Sequence, residues 1–151
     1  MKLLYSLLIT LAVGGIAGFA TATAIGTWYA TLNKPFFNPP NWLFAPAWTT
    51  LYILMGVALY LVWRLPASPI RNKAMTTFFA QLALNFAWSF IFFGAHQIGF
   101  ALVEIMLLWL AILITINQFA KLQKTAALLL VPYILWVSFA TVLNFSIWHL
   151  N

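Results

Sequence analysis

Five long apolar runs broken by short polar stretches account for nearly the whole chain. They lie at Leu3–Ile25, Leu43–Trp63, Ala74–Gly94, Ile98–Phe119 and Thr125–Trp148. Each is about long enough to cross a hydrocarbon core of ~30 Å at ~1.5 Å per residue. The pattern predicts five membrane-crossing helices. The links after the second, third and fourth are short, so sequential helices are expected to pack as antiparallel neighbours. No linker divides the chain, and no internal repeat or low-complexity tract interrupts it. One break differs from the others. Residues 26–42 hold Trp28, Tyr29, Asn33, Lys34-Pro35, Phe36-Phe37, Pro39-Pro40 and Trp42. Proline rings donate no backbone hydrogen bond and push the preceding residue out of helix. This stretch, and its Trp28–Trp42 part above all, reads as a stiff aromatic lid over the mouth of whatever the helices enclose.

Composition agrees with the pattern. Hydrophobic residues make up 65% of the 151 and charged residues 5%, against about 25% charged in a soluble domain; mean hydropathy is +1.00. The fold class is therefore an all-α integral membrane protein, a five-transmembrane-helix bundle in one domain over residues 1–151, with the lipid bilayer as its first partner. The net charge of +6 does not point to nucleic acid, because the basic residues are few and scattered. With five spans, Lys2, Arg64, Arg71, Lys73, Lys121 and Lys124 fall on one side and Lys34 alone on the other. The positive-inside rule then puts the N-terminus in the cytoplasm and the aromatic loop and C-terminus outside. A cleavable signal is the rival reading of the first run. The apolar stretch is long for one, and Gly14, Gly18, Ala22 and Gly26 give it the small-xxx-small face that lets helices approach closely in lipid, which favours a retained helix. The absence of cysteine excludes disulfides, thiolate metal sites and a cysteine nucleophile.

Eight tryptophans need an explanation. An interfacial belt accounts for Trp28, Trp42, Trp63 and Trp148, at or near span ends. It does not account for Trp88, Trp109 and Trp136, well inside spans; Trp48, one to two turns into the second, is intermediate. Their joint occurrence favours an aromatic-lined cavity. Gln81, Asn85 and Ser89 share one face at i+4 spacing beside Trp88, which suits either interhelical hydrogen bonding or ligand contact. In the fifth span Pro132, Trp136, Ala140, Asn144 and Trp148 also recur at i+4. Pro132 is expected to kink that helix, and the small Ala140 leaves room beside the Trp136 indole. A flat apolar ligand with a few polar edges suits such surroundings. Glu104, the one acid, is expected near the middle of the fourth span. A charge there costs roughly 2.5–3.5 kcal/mol, so it should be protonated or paired, with structural hydrogen bonding as its expected role. His96 and His149 have no carboxylate or cysteine near them in sequence, so no metal site is expected. No Ser/His/Asp set, carboxylate pair or phosphate loop offers hydrolytic chemistry.

The motifs resemble those of the tryptophan-rich sensory protein/translocator protein family, the peripheral-type benzodiazepine receptors. They stand as Trp28-Tyr29, Leu32, Lys34-Pro35, Pro39-Pro40, Trp42, Phe44, Trp48 and Leu51-Tyr52, then Gln81, Asn85, Trp88-Ser89 and Phe92-Phe93, and last Pro132-Tyr133, Trp136, Phe139-Ala140 and Leu143-Asn144. The resemblance implies a five-helix bundle, commonly a homodimer, with a pocket opening towards the first loop. It implies binding of porphyrins such as protoporphyrin IX and of benzodiazepine-site drugs. By position, Trp48 and Asn85 match ligand contacts of bacterial relatives, and Trp48 and Trp136 match a pair linked to light-dependent porphyrin breakdown. Glu104 stands where relatives often carry an acid. Two departures matter. The animal cholesterol motif needs a tyrosine and a basic residue where this chain has Phe145 and His149, which removes cholesterol as a specific ligand, and Phe36-Phe37 replaces a frequent Ser-Trp.

The expectation is a tetrapyrrole receptor with a sensory role in a bacterial cytoplasmic membrane, needing no cofactor and no metal. Trp48 and Trp136 would contact the macrocycle, and Asn85 would bond a polar edge. Tyr52, Trp88 and Ala140 would complete the walls. Trp28, Lys34 and Trp42 would close the lid, with Lys34 meeting a propionate. The alternatives are an enzyme that destroys porphyrin in light, with Trp48 and Trp136 as its catalytic residues, and a porphyrin transporter.

Overall fold

In hydrocarbon a backbone amide has no water to turn to, so each apolar run must satisfy its own hydrogen bonds as helix. The computed structural model, which describes residues 1–151, meets this demand with five spans: Lys2–Ile25, Asn41–Trp63, Pro69–Gly94, Ile98–Leu122 and Lys124–Leu150. The helices are α1 (Lys2–Ile25), α2 (Asn41–Trp63), α3 (Pro69–Ser89), α4 (Ile98–Leu122), α5 (Lys124–Leu129) and α6 (Val131–Leu150), with no strand.

Two spans differ from the expected pattern for local reasons. The third begins five residues before Ala74, because Ser68 caps it: its Oγ accepts from the Arg71 N–H at 3.1 Å, and Pro69 occupies the first turn. Arg71 and Lys73 hide that turn from hydropathy. The fifth is broken at Leu130, where α5 ends and α6 starts with Pro132 in its first turn. The kink expected of a ring with no amide proton is therefore a full interruption. At its far end α3 loosens into a π turn, Phe90–Gly94, closed by the Ala95 N–H on the Phe90 carbonyl at 2.7 Å. Phe92 and Phe93 are both buried there.

α1 lies along α2 and also meets α3 and the π turn; α4 packs on α3, α5 and α6, and α5 returns to α2. The spans thus close into a ring in the order one, two, five, four, three. α2 and α3 meet along only a short stretch, less than their short link suggested, because α1 packs against both. The small residues of α1 also behave differently from expectation. Only Gly14 is tightly packed, against the Tyr52 ring, whereas Gly18 and Gly26 face open space. The close approach of backbones instead uses Gly56 of α2. A Cβ there would meet the Thr10 hydroxyl and a Leu7 methyl at 2.8 Å and the Leu7 Cα at 3.1 Å. Thr10 fixes the register by donating to the Tyr52 carbonyl at 2.8 Å.

The first loop is pinned at several points. Its 3₁₀ turn, Tyr29–Thr31, buries Tyr29, whose hydroxyl donates to Asn38 Oδ1 and is held protonated by that burial well above the usual phenol range. Trp28 stacks flat on His96, with ring centroids 4.1 Å apart and planes 4° apart. His96 adopts a left-handed backbone, φ 58°, that non-glycine residues rarely take. Asn33 and Asn151 exchange hydrogen bonds: the Asn33 N–H donates to Asn151 Oδ1 at 3.1 Å, and Asn151 Nδ2 donates to the Asn33 carbonyl at 2.9 Å.

Gly56→Ala should lower stability by about 1–3 kcal/mol, since the added methyl must push α1 off α2, while Gly18→Ala should leave it within about 0.5 kcal/mol. Denaturant unfolding of both variants in detergent checks this; equal effects would contradict the contact.

Candidate functional site

Phe44, Trp48 and Tyr52 recur at i+4 on α2 and project one aromatic face into the ring of helices. α6 answers with Trp136, Phe139 and Ala140, α3 with Trp88, and the π turn after it with Phe92 and Phe93. These residues, with Tyr29 of the loop but without Tyr52, wall an interior cavity that Leu143, Asn144 and Ile147 complete. Its aromatic rings meet edge to face: Trp48 and Trp136 at 6.3 Å and 85°, Phe44 and Trp136 at 6.4 Å and 79°. Trp88 is fixed by donating from Nε1 to Asn144 Oδ1 at 3.1 Å, and Asn144 in turn donates to the Ile98 carbonyl at 3.0 Å. Trp136 Nε1 is buried with no acceptor. An indole N–H left without a partner costs free energy, so this wall presents one hydrogen bond unmade. The cavity holds only about 20 Å³, far below the ~300–1,000 Å³ of a pocket for a drug-sized molecule.

A second space lies on the other side of Phe44 and Trp48. This cleft between α1 and α2 holds about 430 Å³ and opens at the surface of the two membrane-spanning helices. Gly14, Gly15, Gly18 and Ala22 floor it on α1; Ala45, Thr49 and Tyr52 of α2 and Ser89 of α3 complete it. Phe44 and Trp48 line both spaces and so form the partition between them.

Beneath Trp48, whose ring stacks on Tyr52 at 5.8 Å, runs a chain of buried hydrogen bonds. The Tyr52 hydroxyl donates to Asn85 Oδ1, Asn85 Nδ2 donates to the Tyr133 hydroxyl at 2.8 Å, and that hydroxyl donates to Gln81 Oε1 at 2.6 Å. α2, α3 and α6 are tied together by it. Of the two readings open for the Gln81/Asn85 stripe, the interhelical one describes the bonds formed.

Trp48, Trp88, Trp136 and Ala140 thus stand together around the interior cavity, and Tyr52 faces the cleft. Asn85 lines neither space, and both ends of its amide are engaged within the protein. Trp28, Lys34 and Trp42 line neither space as well. Trp28 is held by His96, and Trp42 is 73% exposed. Lys34 turns back on the loop, donating to the Tyr29 and Leu32 carbonyls at 3.0 Å each with its ammonium 5.1 Å from the Tyr29 ring centre. The loop covers the cavity with Tyr29, and Phe37 packs beside it on Phe139. Tyr29, Phe44, Phe92, Phe93 and Tyr133 were not singled out as site residues. The i+4 series 44, 48, 52 was the signal for Phe44; Tyr133 stood out only within the Pro132-Tyr133 motif of the family resemblance. Trp109 lies away from the cavity and donates to Ser138 Oγ at 2.8 Å. Glu104 departs from expectation. It sits two turns into α4, not mid-span, and neither carboxyl oxygen has a hydrogen-bond partner; it lies in an apolar groove with Ile91, Phe100, Val103 and Leu107.

A five-span membrane bundle with a tryptophan-walled interior under a proline-rich loop is the class these features define. The model of the TspO/MBR family matches residues 6–149, and the chain belongs to that family. It is 49% identical to the tryptophan-rich protein TspO of Archaeoglobus fulgidus over 151 residues, all of this chain and 97% of that one. It is 46% identical to the tryptophan-rich protein TspO of Chlorobaculum tepidum, covering 93% of this chain and 90% of that one. With the translocator protein of Homo sapiens it shares 43% identity over 127 residues, 82% of this chain and 75% of that one.

Tyr133→Phe should cost about 1–2 kcal/mol, since it strands the Asn85 amide and the Gln81 carbonyl at once; chemical denaturation reads the loss, and an unchanged midpoint would contradict the chain of bonds. Glu104→Leu should be neutral or stabilising, because it removes a buried polar group that has no partner to lose. A drop of more than about 1 kcal/mol in the same assay would reveal a partner for the carboxyl.

Proposed function

We propose that the chain is a membrane receptor for flat, largely apolar tetrapyrroles such as protoporphyrin IX, with Trp48 and Trp136 as the principal contacts. The observation that carries this reading is the edge-to-face Trp48–Trp136 pair, with the Trp136 N–H buried and unpartnered at its side. Aromatic walls of this kind suit a π-system ligand, and the idle indole N–H suits a polar group on its edge. The interior cavity is too small for such a ligand, so binding requires the partition to move. Displacing Phe44 and Trp48 would join the 20 Å³ cavity to the 430 Å³ cleft, which is itself of ligand-pocket size, and so bring both tryptophans to one space. Asn85 serves this site indirectly, by holding Tyr52 under Trp48. Lys34 reaches a propionate only if the loop releases it. Benzodiazepine-site ligands, being flat and aromatic, belong to the same reading. So does a homodimer: Gly18 and Gly26 leave the α1 surface open to a second helix.

One observation favours a second reading. Two indoles with centroids 6.3 Å apart are placed to share an oxidising equivalent taken from an illuminated porphyrin, with dioxygen as terminal oxidant. That would make the protein a light-dependent porphyrin-degrading enzyme.

Titration of the purified protein with protoporphyrin IX in the dark, followed by tryptophan fluorescence, separates these readings when illumination follows. Saturable binding weakened about tenfold or more in Trp136→Phe and Trp48→Phe, with the bound porphyrin no more light-labile than free porphyrin, is the receptor's signature. Light-driven conversion abolished by Trp48→Phe would establish the enzyme instead, and absence of saturable binding would defeat both.

A further inference from the structure

Opposite the loop, the ends of α1, α2 and α3 bring cations together with nothing to neutralise them. Arg71 NH2 donates to the Trp63 carbonyl at 2.8 Å, and Lys2 Nζ reaches the same oxygen at 3.4 Å. Sharing one acceptor forces a guanidinium and an ammonium side by side. Arg64, the next residue, is exposed and lies over the Tyr60 ring at 5.6 Å. The only acid in the chain is Glu104, buried near the start of α4 at the opposite end. No carboxylate can therefore screen this cluster, and a backbone carbonyl offers only a partial charge. In a protein of so few charges, like charges so close cost energy unless an anion joins them.

The hydrogen-bonding inventory points the same way. A guanidinium carries five N–H donors. In Arg71 one goes to Trp63 and one from NH1 to Asn72 Oδ1 at 3.2 Å, while the Nε–H is buried without an acceptor. Arg71 also stands in the first turn of α3, a helix of 21 residues with no acidic residue in that turn. The positive end of its dipole therefore adds to the cation field where a negative group would normally offset it. Trp63, half-buried, has its ring 5.7 Å from the Lys2 ammonium, the arrangement of an indole at headgroup level.

We propose that Lys2 and Arg71, which share the Trp63 carbonyl, form with the neighbouring Arg64 a binding site for a phosphate monoanion or diester. For a membrane-embedded chain, the source at this depth is the headgroup of an anionic phospholipid. The phosphate would bridge Lys2 and Arg71, take up guanidinium donors that the protein leaves idle, and join α1 to the α2–α3 hairpin. This site is independent of the aromatic cavity and stands or falls without it.

Delipidated full-length protein in neutral detergent, titrated with phosphatidylglycerol, phosphatidylcholine or inorganic phosphate at matched ionic strength, tests the assignment. Native mass spectrometry counts bound lipid and thermal unfolding reads stabilisation. Saturable phosphatidylglycerol binding that raises the melting temperature, absent with phosphatidylcholine, is expected. The double variant Lys2→Gln/Arg64→Gln, which touches only exposed side chains, should weaken it about tenfold or more. The pair Lys121→Gln/Lys124→Gln, on the same membrane side but with no hydrogen bond to Trp63, should change it less than about twofold. Arg71→Gln should abolish it, with circular dichroism checking that the helices persist. Inorganic phosphate reproducing the stabilisation, with the same loss in the first pair, would uphold the site and name soluble phosphate as its ligand. Equal weakening by both lysine-containing pairs would reduce the effect to diffuse charge and overturn the site, as would no preference for phosphatidylglycerol and no response to phosphate.

Discussion

A polar side chain in hydrocarbon must find its partner within the protein, and the chain Tyr52–Asn85–Tyr133–Gln81 is where this constraint organises the bundle. Three helices contribute to it, and none can slide along its neighbours without stranding a buried amide or phenol. Each bond contributes only about 0.6–2 kcal/mol, so the chain is less a source of bulk stability than a fix on register. That register decides which aromatic faces meet. Tyr52 is oriented by its bond to Asn85, Trp48 stacks on Tyr52, and Trp136 lies three residues beyond Tyr133 on α6. The polar chain therefore sets the walls of the cavity without lining it.

The two spaces on either side of Phe44 and Trp48 acquire their shapes from opposite choices of residue. On the interior side, large rings from α2, α3 and α6 interdigitate until almost no volume is left. On the α1 side, glycines and alanines give up volume, and the helix stays close to α2 where Gly56 meets Leu7 and Thr10 and where Gly14 meets the Tyr52 ring. Beyond these contacts the helices leave a cleft. A flat partner entering from lipid would meet a smooth glycine floor and an indole wall before it met any polar group. The partition itself rests on aromatic edge contacts worth about 0.5–1.5 kcal/mol each, which a ligand can replace with contacts of its own.

Span number and approximate limits were legible because hydrocarbon imposes a length and a composition that a linear pattern records. The early start of α3 was not, since Ser68 and Pro69 act through capping geometry while Arg71 and Lys73 depress the hydropathy of the same turn. Trp88, Trp136 and Ala140 were legible as cavity residues from i+4 spacing or from their distance to the span ends, whereas Trp48 was marked by the family motif. The fate of Asn85 was not: its position on an inward face is compatible with a ligand or with Tyr52 and Tyr133, and only the juxtaposition of three helices decides. Lys34 and Trp42 lie in a loop without periodicity, so sequence gave their neighbourhood but no direction for their side chains. The small residues of α1 carried a true signal about volume but an incomplete one about partner, because a small side chain marks equally a close contact and an empty space.

The two membrane ends of the bundle are closed by different physics, and the difference bears on how the interior can be reached. At the loop end the fastenings are short-ranged and internal to the protein: an amide pair between Asn33 and Asn151, a ring stack between Trp28 and His96, and the Lys34 ammonium spent on the loop's own carbonyls. Hydrogen bonds and ring stacks of this kind contribute about 0.5–1.5 kcal/mol each, so releasing the loop costs a few kcal/mol. An opening cost of this size weakens the observed affinity in proportion to the fraction of open protein. At the opposite end cations crowd around one carbonyl, and their mutual repulsion is relieved by anions of the bilayer surface rather than by any residue of the chain. That end is thereby fixed to the membrane, while the loop end is fixed only to the protein. A bundle held in this way opens from the loop side or through the α1–α2 cleft, the two boundaries of the site that no cluster of like charges ties to the bilayer surface.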